Sequence, residues 1–175
     1  FRTFSDGINP DEAPVGQGFH FKAPWDRIAV YEVRQKEVQQ TLDVLSSNLL
    51  KIQLDMTVFH EPVRTALGSL EIERGRDYED AVIIPSMRAV SREVFAKYLP
   101  EEINTSKREQ IQIEIKDRLR EKLSSNFIQL NDVLIRNIRL PKTLEQAIER
   151  KLQQEQESLE YEFRLEKESK EAERK

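Results

Sequence analysis

The chain has 175 residues, of which 38% are hydrophobic and 34% are charged, and its formal net charge is -4. This length accommodates one ordinary domain and an extension, and the slightly acidic charge without a basic stripe argues against nucleic-acid binding. Cysteine is absent, which excludes disulfides, thiolate metal sites and a cysteine nucleophile. No run of about 18 apolar residues occurs, so this sequence predicts no membrane-spanning helix.

The composition changes along the chain. Residues 1–141 carry the apolar runs, whereas residues 142–175 are mostly Glu, Lys, Arg and Gln. We therefore predict a head (residues 1–141) with its own core, followed by an extension that buries its few apolar residues against another chain or the head. The chain begins with Phe1 rather than Met, so we expect a natural N-terminal flank that would hold any membrane anchor.

Alternating apolar and polar residues predict strands over residues 28–34, 37–44 and 50–58. The last of these is the most regular and is typical of a half-buried antiparallel strand. The segment Ser46-Ser47-Asn48 indicates a turn before it, and Pro62 is expected to end it. Residues 127–140 alternate again, with Ile128, Leu130, Leu134, Ile138 and Leu140 on one face. Asp132 and Arg136 interrupt that face, which predicts a bulge or a sheet edge.

Helical spacing of apolar residues predicts a short helix over residues 63–70 and a longer one over residues 77–99, ended by Pro100. A third helix follows the capping-box pair Ser106 and Glu109. Its apolar stripe consists of Ile111, Ile115, Leu119 and Leu123. Together these elements predict an α+β fold in which an antiparallel sheet packs against two or three helices.

The extension predicts one long helix of the coiled-coil type, because residues 142–175 contain no Gly or Pro and Pro141 suits a first helical turn. Its apolar stripe consists of Ile148, Leu152, Leu159 and Phe163, spaced by four, seven and four residues. This gives an eleven-residue repeat, which favours nearly parallel helices or a right-handed bundle. We expect the stripe to pack against neighbouring helices; the alternatives are docking on the head or a solvated single helix.

The sequence shows no pattern of an active, cofactor or metal site. His20 and His60 have no metal-binding motif around them, and neither a nucleophile elbow nor a phosphate-binding loop is present. We therefore expect a protein that is not an enzyme and that needs no cofactor.

Several motifs in order resemble the SPFH (band 7) domain family. The sequence GQGFHFKAPW at residues 16–25 resembles the opening of that domain, and RDYEDAVIIP at residues 76–85 resembles its prohibitin-like branch. Residues 90–94, 132–135 and 140–149 continue the pattern, so that the resemblance covers roughly residues 16–160. The resemblance implies an SPFH-type head followed by a coiled-coil helix.

The resemblance also implies a function, that of a membrane-anchored scaffold of prohibitin type. Heads and coils of such proteins pack side by side into rings or cages, which organise a membrane patch or restrain a membrane-bound AAA+ protease. The implied partners are the chain itself or related subunits, and membrane lipid through the N-terminal anchor. The implied location is the non-cytoplasmic face of a bacterial or mitochondrial inner membrane. The alternative is a soluble adaptor that binds a client through its coil without forming a ring.

Two further surfaces follow from this expectation. Five aromatic residues cluster near the expected anchor: Phe1, Phe4, Phe19, Phe21 and Trp25. We hypothesise that some of them contact the bilayer interface, where Trp and Phe are favoured; the alternative is that Phe19, Phe21 and Trp25 belong to the core. Arg88 and Arg92 are candidates for contacts between neighbouring heads.

Overall fold

The structure is a computed structural model that describes residues 7–10, 13–16, 18–104 and 107–172. These residues form a sheet of three strands, β1 (Lys36–Leu45), β2 (Lys51–Pro62) and β3 (Ile128–Arg139). The α-helices are α1 (Leu67–Glu73), α2 (Ile84–Phe95), α3 (Pro100–Asn104), α4 (Arg108–Ser124) and α5 (Lys142–Ala172). A 3-10 turn (Arg64–Ala66) precedes α1, and a π-helical turn (Glu79–Ile83) leads into α2. Contacts divide the chain into two compact units, with the boundary between Ile138 and Arg139.

The sheet is antiparallel, as predicted. Lys36 of β1 lies opposite His60 of β2, and Leu45 lies opposite Lys51, so that the turn predicted at residues 46–48 connects the two strands. Strand β3 lies on the other side of β2. The Val63 N–H donates to the Phe127 carbonyl, and the Asn137 amide donates to Asp55. These two contacts pair early residues of one segment with late residues of the other, which makes β3 antiparallel to β2.

The core lies between the sheet and the helices α2 and α4. The four stripe residues predicted for α4, Ile111, Ile115, Leu119 and Leu123, are all 0% exposed. They pack beside α2, which contributes Met87, Val90 and Val94. Each such burial stabilises the fold by about 1.5–3 kcal/mol relative to exposure, so the predicted α4 stripe is confirmed as a main component of the core.

Strand β2 differs from the half-buried strand that its alternation predicts. Asp55 and Thr57, which lie on its polar face, are 7% and 0% exposed. For Asp55 the reason is that β2 is the central strand and its neighbours supply polar partners. Thr41 of β1 donates to Asp55 at 2.8 Å, and Asn137 of β3 donates to the same carboxylate at 3.3 Å. A polar layer therefore covers the face that the sequence assigned to solvent.

The irregularity predicted at Asp132 is confirmed. Before Asp132 the buried residues are Ile128 and Leu130, at even positions. After it they are Val133 and Ile135, at odd positions, so the set of residues that faces the core changes at Asp132. Strand β3 is also an edge of the sheet. The single predicted face is wrong beyond this point, because Leu134 is 37% exposed.

Two other predicted elements need correction. Residues 28–34 are not a strand in the structure, because no described strand pairs with them; side-chain contacts hold them instead. Pro100 does not end the long helix, since α2 stops at Phe95 and Pro100 begins α3. Proline suits that position because its missing N–H has no helical partner there. Ser106 of the predicted capping box lies outside the described residues.

Candidate interaction surfaces

The apolar stripe of α5 is exposed to solvent. Leu152, Leu159 and Phe163 are 48%, 66% and 74% exposed, and Ile148 is half-buried. At about 100° per residue, the four side chains project within an arc of about 60° on one face of the helix. Large apolar side chains aligned on one helix face are typical of a surface that is covered by another chain.

The helix α5 also carries an ion pair between charged side chains one turn apart. Arg164 donates to Glu160 at 2.7 Å, four residues earlier on the helix. Such pairs stabilise a helix by about 0.2–0.5 kcal/mol each, so they support the helix in water but add little to stability.

The aromatic residues at the N-terminal side are exposed rather than buried. Phe19 is 85% exposed, Phe21 is 94% exposed and Trp25 is 56% exposed, so these three residues are not part of the core. The Phe19 and Phe21 rings touch edge to face, with centroids 5.0 Å apart. Phe1 and Phe4 lie outside the described residues. Contact of these aromatics with a bilayer stays a prediction.

We expect the double substitution Phe19→Ser and Phe21→Ser to weaken binding to anionic liposomes by about tenfold or more, because two exposed rings would no longer enter the interface. Liposome flotation measures the bound fraction. The matched control is Leu49→Ser, which removes an apolar side chain that is 78% exposed in the turn between β1 and β2. Equal binding by all three proteins, or no binding by the natural chain, would refute membrane contact at this surface.

Arg88 and Arg92 lie one turn apart on the exposed side of α2. With Thr41, Leu42 and Asp43 of β1 they line a shallow cavity of about 210 Å³. Neither guanidinium has an ion-pair partner among the residues that the structure describes, whereas Asp43 pairs with Lys51 at 3.0 Å. Two unpaired cations on one face provide a site that suits carboxylates of another molecule.

The two histidines have different surroundings. His20 is exposed, and its Nε2 lies 2.9 Å from the Gly16 carbonyl oxygen. His60 is completely buried near the end of β2. Among the residues that the structure describes, no group of three or more His, Asp or Glu side chains could hold a metal ion. None of the helices in the described ranges is long and apolar enough to cross a membrane.

The profile of the SPFH domain / Band 7 family matches residues 3–174. The chain belongs to this family. The SPFH resemblance of the motifs is thereby confirmed, and the three-stranded sheet with its helices is the SPFH head that it implied.

The SPFH chain is also similar to curated prohibitins. It is 29% identical over 157 residues to Prohibitin-1 of Colletotrichum higginsianum, covering 89% of this chain and 57% of that protein. It is 26% identical over 170 residues to Prohibitin-2 of Gallus gallus, covering 97% and 56%. It is 27% identical over 168 residues to the mitochondrial Prohibitin-7 of Arabidopsis thaliana, covering 95% and 58%. The SPFH chain therefore spans a little over half the length of these relatives.

Sequence reasoning missed one group of residues in this SPFH head. Tyr31, Glu71 and Tyr78 come together with His60, although they are far apart in the sequence. The only local signal was the alternation over residues 28–34, which predicted a strand there but did not indicate what Tyr31 contacts.

Proposed function

We propose that this protein is a non-enzymatic, membrane-associated scaffold of prohibitin type, which assembles with copies of itself or with related subunits into rings or cages. The exposed apolar stripe of α5 carries this proposal. A solvated helix gains nothing from leucine and phenylalanine aligned on one face, whereas lateral packing of several such helices buries them.

The free energy gained by burying the stripe side chains favours closed assemblies over isolated pairs. Burial of a Leu or Phe side chain contributes about 1.5–3 kcal/mol, so four residues give several kcal/mol per contact before the entropy of association is subtracted. The free energy that remains after this subtraction is marginal for a dimer. In a ring each subunit has two neighbours and no open ends remain, so the same contact is repeated around the assembly.

Contacts between heads would add to those between coils. Arg88 and Arg92, which have no ion-pair partner in the described part of the chain, offer a cationic surface, and the chain as a whole carries a formal charge of -4. A neighbouring subunit can therefore supply carboxylates to this surface. Complementary charges of this kind set the register between subunits more than they raise affinity.

The membrane part of the proposal rests on the exposed aromatics and on the relatives. Phe19, Phe21 and Trp25 offer interfacial side chains, and one similar prohibitin is named mitochondrial. We place the scaffold at the non-cytoplasmic face of a bacterial or mitochondrial inner membrane, held by lipid contacts and an N-terminal anchor. There it would organise a membrane patch or restrain a membrane-bound AAA+ protease.

A soluble adaptor is the second candidate, because charged side chains on α5 can stabilise it as a single helix in water without a packed neighbour. The Glu160–Arg164 ion pair is an example. The adaptor would present the stripe of α5 to a client protein and would form no ring.

A single introduced cysteine tests whether copies of this chain pack against each other through the stripe, since the sequence contains no cysteine. With Leu159→Cys we expect covalent dimers after mild oxidation, because lateral packing brings equivalent stripe positions of neighbouring subunits close enough for a disulfide. The control Glu157→Cys lies about 160° around the helix from Leu159 and should give few dimers. Non-reducing electrophoresis measures the yield. Equal yields from both variants, or none from Leu159→Cys, would contradict packing through the stripe.

A further inference from the structure

Strand β1 forms an edge of the sheet, because it pairs with β2 on one side only. Its register with β2 runs without a bulge from Lys36 to Leu45, and its sequence contains no Pro or Gly. A long and regular edge of this kind is a template for pairing with another chain.

The hydrogen bonds of the β1–β2 turn show which backbone groups of β1 face away from β2. The Ser46 N–H donates to the Leu50 carbonyl at 3.0 Å, so the even-numbered residues of β1 direct their backbone groups towards β2. In an antiparallel pair the residues between them direct theirs the opposite way. The N–H and C=O groups of Thr41, Asp43 and Leu45 therefore point out of the sheet, and no other strand in the described part of the chain pairs with them.

The strand at the opposite edge, β3, is a poorer template. Arg108 of α4 donates to the carbonyls of Ile135 and Arg136, at 2.9 and 3.0 Å. The same strand carries the irregularity at Asp132, and irregular edges pair poorly with an added strand. Addition of a strand is therefore expected at β1 rather than at β3.

Two arginines of α2 stand beside the open half of β1. Arg88 and Arg92 line the cavity of about 210 Å³ together with Thr41, Leu42 and Asp43. Neither guanidinium has an ion-pair partner among the residues that the structure describes, whereas Asp43 is engaged in an ion pair. A strand added at this edge would pass both guanidiniums, so carboxylates on it would find charged partners there.

The spacing of the two arginines matches alternate residues of a strand. Four residues along an α-helix rise about 6 Å, and residues i and i+2 of a strand are about 6.4–6.8 Å apart. Side chains two residues apart point to the same face of a strand. Carboxylates at alternate positions of one extended segment can therefore pair with Arg88 and Arg92 at the same time.

The arginines also argue against a second copy of β1 as the added strand. If the open halves of two β1 strands paired with each other, Arg88 and Arg92 of both copies would meet at the same edge. Four guanidiniums would then lie near one short stretch of strand, and like charges across an interface disfavour such a pairing. The charge of this surface instead selects an acidic partner.

We propose that the open half of β1 binds an extended acidic segment of another protein, which joins the sheet as a fourth strand and pairs alternate carboxylates with Arg88 and Arg92. The backbone of β1 supplies affinity, and the arginines select acidic side chains. The inference goes beyond the proposed scaffold, because it concerns how the head holds a protein other than its own copies. A bound segment and a neighbouring head exclude each other at these arginines, whereas the stripe of α5 remains available for assembly.

Fluorescence anisotropy of the natural chain with a labelled peptide of about ten residues tests the site. Aspartate alternates with valine in this peptide, and the control peptide has asparagine in place of aspartate. We expect the acidic peptide to bind at least about tenfold more tightly than the control, because the control cannot form the two charge-assisted contacts. Equal affinities, or no binding of the acidic peptide, would overturn the proposal.

Arg88→Glu combined with Arg92→Glu should weaken binding of the acidic peptide at least about tenfold. The matched control is Arg64→Glu combined with Arg150→Glu, which changes the net charge equally at exposed positions of the 3-10 turn and of α5. Equal losses in the two double variants would show a general effect of charge and would overturn the role assigned to the α2 arginines.

Two substitutions of Asp43 separate strand addition from simple attraction between charges. Asp43→Asn and Asp43→Pro each remove a negative charge next to the arginines, so charge alone predicts equal or tighter binding in both. Asp43→Pro also removes an outward N–H and places a ring on the edge, without loss of a β1–β2 hydrogen bond. We expect binding to persist in Asp43→Asn and to weaken at least about tenfold in Asp43→Pro. Equal affinities of these two variants would overturn strand addition.

If circular dichroism shows that Asp43→Pro does not fold, N-methylated peptides decide on the natural chain. Alternate amides of an added strand face β1, so methylation of one alternate set should abolish binding while methylation of the other set is tolerated. Equal effects of the two sets would overturn the proposal. Light scattering of the same samples measures assembly separately, so a failure of ring formation is distinguishable from a failure of this site.

Discussion

Substitution of Phe163 by glutamate, combined with Leu159→Glu, is expected to reduce the assembled protein to monomers or dimers. The two side chains are 74% and 66% exposed on α5, so their burial in an assembly must come from other subunits. The double change removes about 3–6 kcal/mol of apolar burial per contact, which corresponds to a loss of at least about 100-fold in affinity. Added negative charge in the same stripe weakens the contact further. Light scattering of the detergent-extracted protein measures the particle mass.

Tyr161→Glu is the matched control for this experiment. Tyr161 is aromatic and 71% exposed, yet it lies about 160° around the helix from Phe163. The substitution Tyr161→Glu should therefore leave the particle mass unchanged. The thermal unfolding midpoint of the head should be the same in all variants, because the changes lie outside its core. Equal dissociation by Tyr161→Glu and by the double variant would show that the stripe is not the contact surface.

Leu119→Ala is expected to lower the free energy of unfolding of the head by about 2–5 kcal/mol. Leu119 is 0% exposed within the stripe of α4 that packs beside α2, so its truncation leaves a cavity that the surrounding side chains fill only in part. This loss is a large fraction of the 5–15 kcal/mol that stabilises a typical domain. Urea unfolding followed by circular dichroism measures the change.

The control for this substitution is Leu159→Ala, which makes the same chemical change at an exposed position of α5. It should leave the unfolding free energy of the head within about 0.5 kcal/mol of the natural value. The two leucines therefore separate the contribution of the core from that of the assembly surface. A loss below about 1 kcal/mol for Leu119→Ala would contradict the placement of α4 in the core.

The sequence predicted those elements whose pattern is local. The stripe of α4 and the long helix α5 follow from helical periodicity, which needs no knowledge of distant residues. The turn at residues 46–48 and the edge near Asp132 likewise follow from nearby polar residues. The four residues of the α5 stripe could also be predicted to share one helix face, because their spacing along the chain is enough to show it.

Elements that depend on distant partners could not be predicted in the same way. The alternation over residues 28–34 is typical of a strand, but a strand requires a neighbour, and the structure holds these residues by Tyr31 and Ile28 instead. The buried polar face of β2 depends on Thr41 and Asn137, which come from two other strands. The contact between the buried His60 and Tyr78 likewise arises only when distant segments of the chain meet.

The particle mass and shape of the natural protein after mild detergent extraction, from light scattering and electron-microscope images, test the scaffold proposal most directly. We predict a closed particle of many subunits. A monomer or dimer would contradict assembly into rings or cages and would make the soluble adaptor the better explanation of α5.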